Sequence, residues 1–326
     1  MLFIPHKHLY ISGTSYVSAD EPDYKEVITD ANSRRRMGRL LKMAVWCGLK
    51  SLDGVPSERV AGIITSTGAG FMKDTISFGS SIFDREETLL NPSPFMQSTF
   101  NTASGYIALI RKIHAYNTTY VQQADGFAAS LVDAAMLLDD AGEGNVALVG
   151  AFDEVTPEVD VIRQRLGLYR VGDGFLPLGE GAAAFLLSAA MPTDVSESCW
   201  ATEMSTGLGG GEAVSESSSE PLHESGGTSS SSLIGTKDDN ADLRFCGLAN
   251  LSDLPKCAGN PIAELFGINA GVNVISCADH VESLGAFRSL LPVLLCKLIS
   301  EQLIPDGYTA IVDDVNEDGV IVLLHK

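Results

Sequence analysis

Hydrophobic positions follow two different spacings along the first 190 residues. Residues 33–52 carry apolar residues at helical spacing behind Ser33, a residue type that often begins a helix. Short, continuously apolar runs such as residues 60–70 and 145–155 are typical of buried strands. The same patterns predict helices at about 71–83 and 131–142, a loop entering a helix at 91–113, and strands at 8–17, 118–122 and 179–189. This alternation predicts an α/β protein with largely parallel sheets.

The last 84 residues, 243–326, continue the alternation over a shorter length. The patterns predict a strand at 243–252, a short helix at 261–267 and a long apolar helix at 282–303. Two further strands flank an Asn-Glu-Asp-Gly turn that ends at Gly319, a typical hairpin signal.

An acidic, Ser- and Gly-rich segment separates these two parts. Residues 191–242 contain ten Asp or Glu residues and a single Lys, together with 12 Ser and 7 Gly. A segment with so little apolar surface does not offset the entropy of ordering it. We therefore expect three regions: an N-terminal half (1–190), a flexible insertion or linker (191–242) and a short C-terminal half (243–326).

The net charge and the cysteines exclude several kinds of site. A formal charge of −20 argues against nucleic acid or an anionic membrane surface as a partner. No apolar stretch approaches the roughly 20 residues that span a bilayer, and the N-terminus lacks the apolar core of a signal peptide, which predicts a cytoplasmic location. The six cysteines form no CxxC pair, so we expect free thiols, no metal site and no cofactor.

Three ordered stretches carry a family resemblance: MGRLLKMAVWCGLKSL (37–52), residues 91–154, and PLGEGAAAFLLS (177–188). Together they resemble the β-ketoacyl synthases of the thiolase superfamily. The phrase NPSPFMQSTFNT is similar to short ketosynthase-like proteins of bacterial aryl-polyene and flexirubin pathways. The resemblance implies a thiolase-like layered αβαβα fold of two related halves, the second of them shortened.

The family nucleophile is a cysteine in a Cys-x-x-Gly phrase between a strand and a helix. A helix N-terminus lowers the pKa of a thiol, which favours the reactive thiolate. The matching residues in this chain are Gln123-Ala124-Asp125-Gly126. A carboxamide is not a nucleophile, so an acyl-enzyme through Gln123 is not expected.

The family also uses two histidines that hold the malonyl thioester carbonyl. No His-Gly-Thr-Gly-Thr phrase occurs after residue 240, where AGNP (258–261) is the nearest candidate. Aligning CADHVESLGAF on the family's Gly-His-x-x-Gly-Ala phrase puts Glu282 at the second histidine, with His280 two residues earlier. His280 is a candidate for this role, or a loop histidine with an ordinary hydrogen bond.

Glutamine at the nucleophile position resembles the chain-length factors of type II polyketide systems. In that family the degenerate subunit pairs with an active ketosynthase and shapes a tunnel for the growing chain. The resemblance assigns the tunnel face to the predicted helix 71–83, where Phe71, Asp74, Thr75 and Phe78 share helical spacing. The alternative is that the two phenylalanines are core residues.

Two surfaces are expected to meet partners. Residues 97–113 are predicted to contact the ketosynthase subunit, and packing within the chain is the alternative; the candidates are Gln97, Thr102, Ala103, Gly105 and Tyr106. The basic run Arg34, Arg35 and Arg36 is a candidate contact for an acidic acyl carrier protein. A solvated helix start explains the same run.

Three functions remain open from the sequence. The first is a non-catalytic chain-length factor in a heterodimer with a ketosynthase. The second is a Gln-type relative that decarboxylates malonyl-carrier protein, for which at most one carbonyl-holding histidine is visible. The third is a free-standing, acyl-binding homodimer.

Overall fold

The computed structural model describes residues 8–18, 20–168, 170–171, 174–175, 179–191, 243–256, 259–280, 288–314 and 319–326. The strands are β1 (Leu9–Val17), β2 (Val60–Thr67), β3 (Tyr116–Val121), β4 (Val146–Asp153), β5 (Arg170–Val171), β6 (Gly174–Phe175), β7 (Gly181–Ser188), β8 (Arg244–Asn250), β9 (Val272–Ser276), β10 (Tyr308–Val312) and β11 (Val320–His325). The α-helices are α1 (Ala31–Arg36), α2 (Arg39–Ser51), α3 (Met72–Asp84), α4 (Pro92–Gln97), α5 (Thr102–Arg111), α6 (Gln123–Ala141), α7 (Pro157–Leu166), α8 (Pro261–Leu265) and α9 (Leu291–Ser300).

Nine of these strands form one sheet that contains an internal repeat. The strand order is β3-β2-β4-β7-β1-β8-β11-β10-β9. In the first half β1 is antiparallel to β7, β7 to β4, and β4 is parallel to β2. In the second half β8, β11, β10 and β9 repeat this pattern in the same order. Among the described residues no strand of the second half repeats β3.

The hydrophobic clusters show how helices cover the sheet. One cluster joins α6 and α9 to strands of both halves, including Phe185 of β7 and Phe245 of β8. The opposite sheet face is covered by α2 and α5 in the first half. In the second half it is covered by α8. Helices therefore cover both faces of the sheet, and α6 and α9 pack together against strands of both halves, as expected for a thiolase-like fold.

The predicted helix 33–52 is two helices, and Asp30 rather than Ser33 caps the first. The Asp30 carboxylate accepts hydrogen bonds from the backbone N–H groups of Asn32 and Ser33. Met37 leaves the helical conformation and Gly38 begins α2. Within α2, a Cβ at Gly48 would lie 2.3 Å from Ile107 of α5, so glycine is what allows these two helices to approach closely.

Other differences from the sequence patterns lie at element ends. The long apolar helix predicted at 282–303 is, in its described part, a 3-10 turn (Arg288–Leu290) followed by α9. The patterns missed α7 and β9, and the loop expected at the start of 91–113 contains α4. The predicted linker lies outside the described residues except for Met191, so the three-region division stays a prediction. Within the described ranges, no helix is long and apolar enough to cross a membrane.

Candidate functional site

The predicted nucleophile position lies at the first residue of the longest described helix. β3 ends at Val121, Gln122 precedes the helix with a φ of −140° and a ψ of 30°, and Gln123 begins α6. The turn therefore has the strand-to-helix placement that the family phrase requires. β3 is the edge strand of the sheet, and its residues are exposed or partly exposed.

Gly126 explains the glycine of the Gln-x-x-Gly phrase by packing. A Cβ at this residue would lie 3.2 Å from Cβ of Ser66 on β2. Ser130 donates a hydrogen bond to the carbonyl oxygen of Gly126 one turn later, at 2.8 Å. Glycine thus lets the first turn of α6 lie against β2, whatever residue stands at position 123.

The described cysteines do not supply another nucleophile at this turn. Cys47 and Cys296 are fully buried, and burial raises the pKa of both thiols. Cys246 is half-buried on β8, and burial also raises its pKa. Cys277 is buried in the turn after β9. A thiol with a raised pKa holds little thiolate at neutral pH, so Cys47, Cys246 and Cys296 are poor nucleophiles.

The structure places only part of the expected histidine machinery. His280 ends the 3-10 turn Cys277–His280 that follows β9, and it is half-buried with an interaction partner. Glu282 lies outside the described residues. Asn260, from the AGNP phrase, caps α8 by accepting a hydrogen bond from the N–H of Ala263 at 3.2 Å. That phrase therefore has a structural role.

A buried polar cluster that the sequence patterns missed lies beside the carboxyl end of β4. Asp153 is fully buried, and its carboxylate accepts hydrogen bonds from the N–H groups of Gly68 and Ala69, both at 2.8 Å. The hydroxyl of Thr67 donates to it at 3.0 Å, and Ser289 from the second half donates a further hydrogen bond. Burial raises the pKa of Asp153, while these four donors oppose the shift.

The residues on either side of Asp153 hold the start of α3. Phe152 stacks on Phe71 with ring centroids 5.0 Å apart. Glu154 accepts a hydrogen bond from the N–H of Lys73 at 2.8 Å, at the N-terminus of α3. We call residues 67–73 the α3 root. The signal for it in the sequence is a pair of acids that ends a wholly apolar strand.

The four predicted tunnel residues do not share one surface. Phe71 is 1% exposed and belongs to the core, which corrects its assignment as a tunnel residue. Phe78 is half-buried and packs on Phe95 of α4 at 5.2 Å. Thr75 is exposed, and Asp74 is half-buried near Gly38 of α2. Burial raises the pKa of Asp74.

Three of the predicted interface residues are also buried within the chain. Gln97 holds the start of α2 by accepting from the N–H of Gly38 at 3.1 Å and donating to the carbonyl of Arg36. Thr102 donates to the carbonyl of Met96, and Ala103 is core. Because these three side chains are buried within this chain, the structure favours the alternative of packing within the chain for them. Gly105 and, in part, Tyr106 remain accessible.

The basic run lies on α1 and is partly engaged. Arg34 donates to the carbonyl of Ile28, and Arg35 bonds to Asn32 of its own helix. Arg35 and Arg36 are exposed at the C-terminal end of α1, where a cation interacts favourably with the helix dipole. Both remain available to an acidic partner.

A cavity formed by described residues lies away from Gln123. It measures about 370 Å³ at the C-terminal end of α6, and His8, Tyr10, Asp139 and Glu143 are among its lining residues. Gln123 is at the opposite end of the same helix. No cluster of three or more potential metal ligands occurs among the described residues.

Comparisons with known proteins agree on the fold. Residues 14–170 match the family described as the β-ketoacyl synthase N-terminal domain. No curated protein sequence matches the chain.

Three solved structures align over nearly the whole chain. The ishigamide ketosynthase/chain length factor aligns with a TM-score of 0.63 at 14% identity, over 97% of this chain and 98% of that one. The AntDE:AntF complex, a type II PKS acyl-carrier protein with its ketosynthase bound to the hexaketide, aligns with a TM-score of 0.64 at 14% identity, over 98% and 99%. A β-ketoacyl synthase from Burkholderia phymatum STM815 aligns with a TM-score of 0.61 at 11% identity, over 98% and 99%.

The structural similarities show the fold, and the family match covers just under half of the chain, including the β3–α6 turn. Gln123 and Gly126 lie inside the matched residues, as does Asp153. Residues 14–170 are thus similar to the N-terminal domain of the β-ketoacyl synthases, and the chain has the thiolase-like fold of the ketosynthase structures to which it aligns.

Proposed function

We propose that this chain is a non-catalytic chain-length-factor subunit that pairs with an active ketosynthase. The observation that carries the proposal is Gln123, which begins α6 where the family places its cysteine nucleophile. A carboxamide forms no acyl-enzyme. The described cysteines that are fully buried, Cys47 and Cys296, do not take over the role, because burial raises their pKa values.

An exposed sheet edge supports pairing with a second chain. β3 ends the nine-stranded sheet, so one side of its backbone has no strand beside it among the residues that the structure describes. Apolar side chains surround this edge: Leu109 and Ile110 on α5, and Tyr116 and Val121 on β3. We call these four residues the β3 surface. Leu109 alone is 74% exposed, which is unfavourable unless a partner covers it.

A second apolar surface adjoins α3, the helix to which the resemblance assigns the tunnel face and which would therefore measure the length of the growing chain. α3 and α4 pack on each other through Phe78 and Phe95, and α3 contributes no buried residue to the core. Phe83 and Leu89 are 84% and 91% exposed. The partner that we propose for both surfaces is a ketosynthase of the same fold. The polyketide or polyene product that grows between the two subunits would then run along α3.

An acyl carrier protein is the second proposed partner. Arg35 and Arg36 are exposed cations in a chain whose net charge is −20, so they offer a local site for an acidic protein. Binding through them should weaken as salt is added. The solved structure of a type II carrier protein with its ketosynthase shows that proteins of this fold can bind such a partner.

The pairing is tested by co-purification from the organism's own cells. Tagged wild-type chain should recover a ketosynthase, and Leu109→Asp should lose it because a charge is placed in the β3 surface. Leu303→Asp is the matched control, since Leu303 is 51% exposed in the second half of the chain. Recovery of the chain only as a homodimer would support the acyl-binding alternative and contradict the proposal.

The expected absence of an acyl-enzyme is tested separately by mass spectrometry of the intact protein. After incubation with an acyl-carrier protein thioester, the isolated subunit should gain no acyl mass. A stoichiometric adduct on any cysteine would contradict the non-catalytic assignment. Release of carbon dioxide from malonyl-carrier protein by the isolated subunit would support the decarboxylase alternative instead.

A further inference from the structure

Asp153 joins segments that are far apart in the chain. Its carboxylate accepts from Thr67, Gly68 and Ala69 of the α3 root and from Ser289 of the second half. Thr67, Asp153 and Ser289 are each fully buried. An ionised carboxylate only accepts hydrogen bonds, so four converging donors match its charged form. The cluster is therefore a complete hydrogen-bonded unit in the core.

The geometry leaves little room for change around this cluster. A Cβ at Gly68 would lie 3.1 Å from the Ser289 hydroxyl and 3.4 Å from the Asp153 carboxylate. The N–H of Gly70 donates to the Thr67 hydroxyl at 2.8 Å, which aims the hydroxyl proton at Asp153. The aromatic ring of Phe100 covers Gly70. Each bond fixes the backbone of the α3 root.

A second carboxylate in the internal repeat provides a comparison. Asp314 follows β10 as Asp153 ends β4, and it accepts from the N–H of Ala278 at 2.9 Å after β9. The strand registers Ser66↔Ala151 and Ser276↔Val312 place these two bonds at equivalent positions. Asp314 also accepts from Ser276, within its own half, and is exposed. Only the Asp153 cluster connects the two halves in this way among the described residues.

We propose that Asp153 and Ser289 form a clamp that holds the α3 root against the second half of the chain, with Asp153 as a positioning residue for α3. The root is tied by Asp153 and by Glu154, whereas the body of α3 packs mainly on α4. A displacement of Ser289 would therefore change the orientation of α3. The consequence for product length rests on the proposed function.

The clamp is tested by amide hydrogen exchange on the full chain, without any partner. Ser289→Ala removes only the bond from the second half. We expect exchange at Gly68 and Ala69 to become about tenfold faster, with amides of β4 unchanged. Asp314→Asn is the matched control: it should speed exchange at Ala278 and leave Gly68 and Ala69 as in the wild type.

Two results would overturn the clamp. One is wild-type exchange at Gly68 and Ala69 in Ser289→Ala. The other is a uniform rise that includes β4, because that reports general destabilisation. Gly68→Ala is a second variant, in which the added methyl group should push the Ser289 hydroxyl away from Asp153. It should also speed amide exchange in the α3 root while leaving β4 unchanged. Asp153→Asn disturbs all four bonds, so Ser289→Ala and Gly68→Ala keep the test valid if that variant does not fold.

The product made by the ketosynthase complex separates this proposal from the proposed function. If amide exchange rises at Gly68 and Ala69 and an intact Ser289→Ala complex makes a broader range of product lengths, the clamp and the measuring role of α3 are both supported. If exchange rises locally while the product range of the intact complex is unchanged, the clamp stands and the measuring role of α3 is contradicted.

Discussion

Gln123 is the first residue of α6, directly after the end of β3. The first N–H groups of a helix have no partner within it and favour negative charge nearby. A carboxamide is uncharged and makes no use of this field for nucleophilic chemistry. The positive electrostatic field of the helix N-terminus comes from the backbone and is present whatever the side chain, so a cysteine introduced at this position can detect it.

Gln123→Cys should introduce a thiol with a lowered pKa that still does not condense acyl chains. At pH 7.5 the thiol should react with iodoacetamide several-fold faster than one introduced by Asp140→Cys, which lies near the C-terminal end of the same helix. Labelling followed by mass spectrometry measures both rates. Equal rates would show that the start of α6 exerts no such field, and condensation by Gln123→Cys would contradict the loss of the histidine machinery.

The two predicted tunnel phenylalanines should differ in their effect on stability. Phe71→Ala removes a ring that is stacked on Phe152 in the core and should cost about 3–5 kcal/mol. Phe78→Ala, at a half-buried site, should cost under about 2 kcal/mol. Urea unfolding of both variants measures the difference. Similar small losses would return Phe71 to the open surface that the sequence pattern assigned to it.

α3 is an element with a fixed start and a lightly held body. Helical spacing alone groups Phe71, Asp74 and Thr75 on one face, but the first residue precedes the helix and turns into the core. The sequence pattern locates this helix within a residue at each end. It does not reveal the root, because the bonds to Asp153 and Glu154 come from a strand some 80 residues away. Local periodicity carries no information on such contacts.

If α3 measures chain length, side-chain volume on its accessible part should change the product. Phe78→Ala should lengthen the chain made with the partner ketosynthase, and Thr75→Trp should shorten it. Mass spectrometry of the products, from complexes shown to be intact, measures the outcome. Unchanged lengths in both variants would place the measuring wall elsewhere.

Asp74 should make the protein less stable at neutral pH than an uncharged residue would. Burial raises its pKa in the folded chain, so the ionised form opposes folding above the unfolded pKa. Asp74→Asn should therefore raise the free energy of unfolding at pH 7 by less than about 1 kcal/mol. The advantage should shrink as the pH falls through the folded pKa, because the wild-type side chain becomes neutral. Urea unfolding at pH 7 and at pH 4.5 tests this, and a gain that does not depend on pH would contradict it.

At the scale of the whole molecule, the sequence predicts the layered fold well and the partner surfaces poorly. The apolar runs of β2, β4 and β7 are buried almost throughout, so their pattern is unambiguous. Gln97, Thr102 and Ala103 show why the partner surfaces are harder to predict, because small and polar residues suit a close packing within one chain as well as an interface, and the structure buries all three within the chain. Exposed apolar residues such as Leu109 become visible only once the fold is known.

The acidic segment 191–242 provides a prediction about the whole chain. Removing residues 200–234 should leave the melting temperature within a few degrees, since the described core draws on strands and helices outside this range. Differential scanning fluorimetry measures the change. A large fall, or failure of the two halves to remain associated after brief proteolysis in this segment, would show that it is structural.

The equivalent carboxylates at the ends of β4 and β10 have an evolutionary consequence. Matching strand order alone can arise twice independently, but an Asp that caps the neighbouring strand's turn in the same register is a finer detail. If the two halves arose by duplication, a cap in the ancestral half accounts for both carboxylates. An acceptor should then persist at these two positions in descendants of that half whether or not they kept a nucleophile.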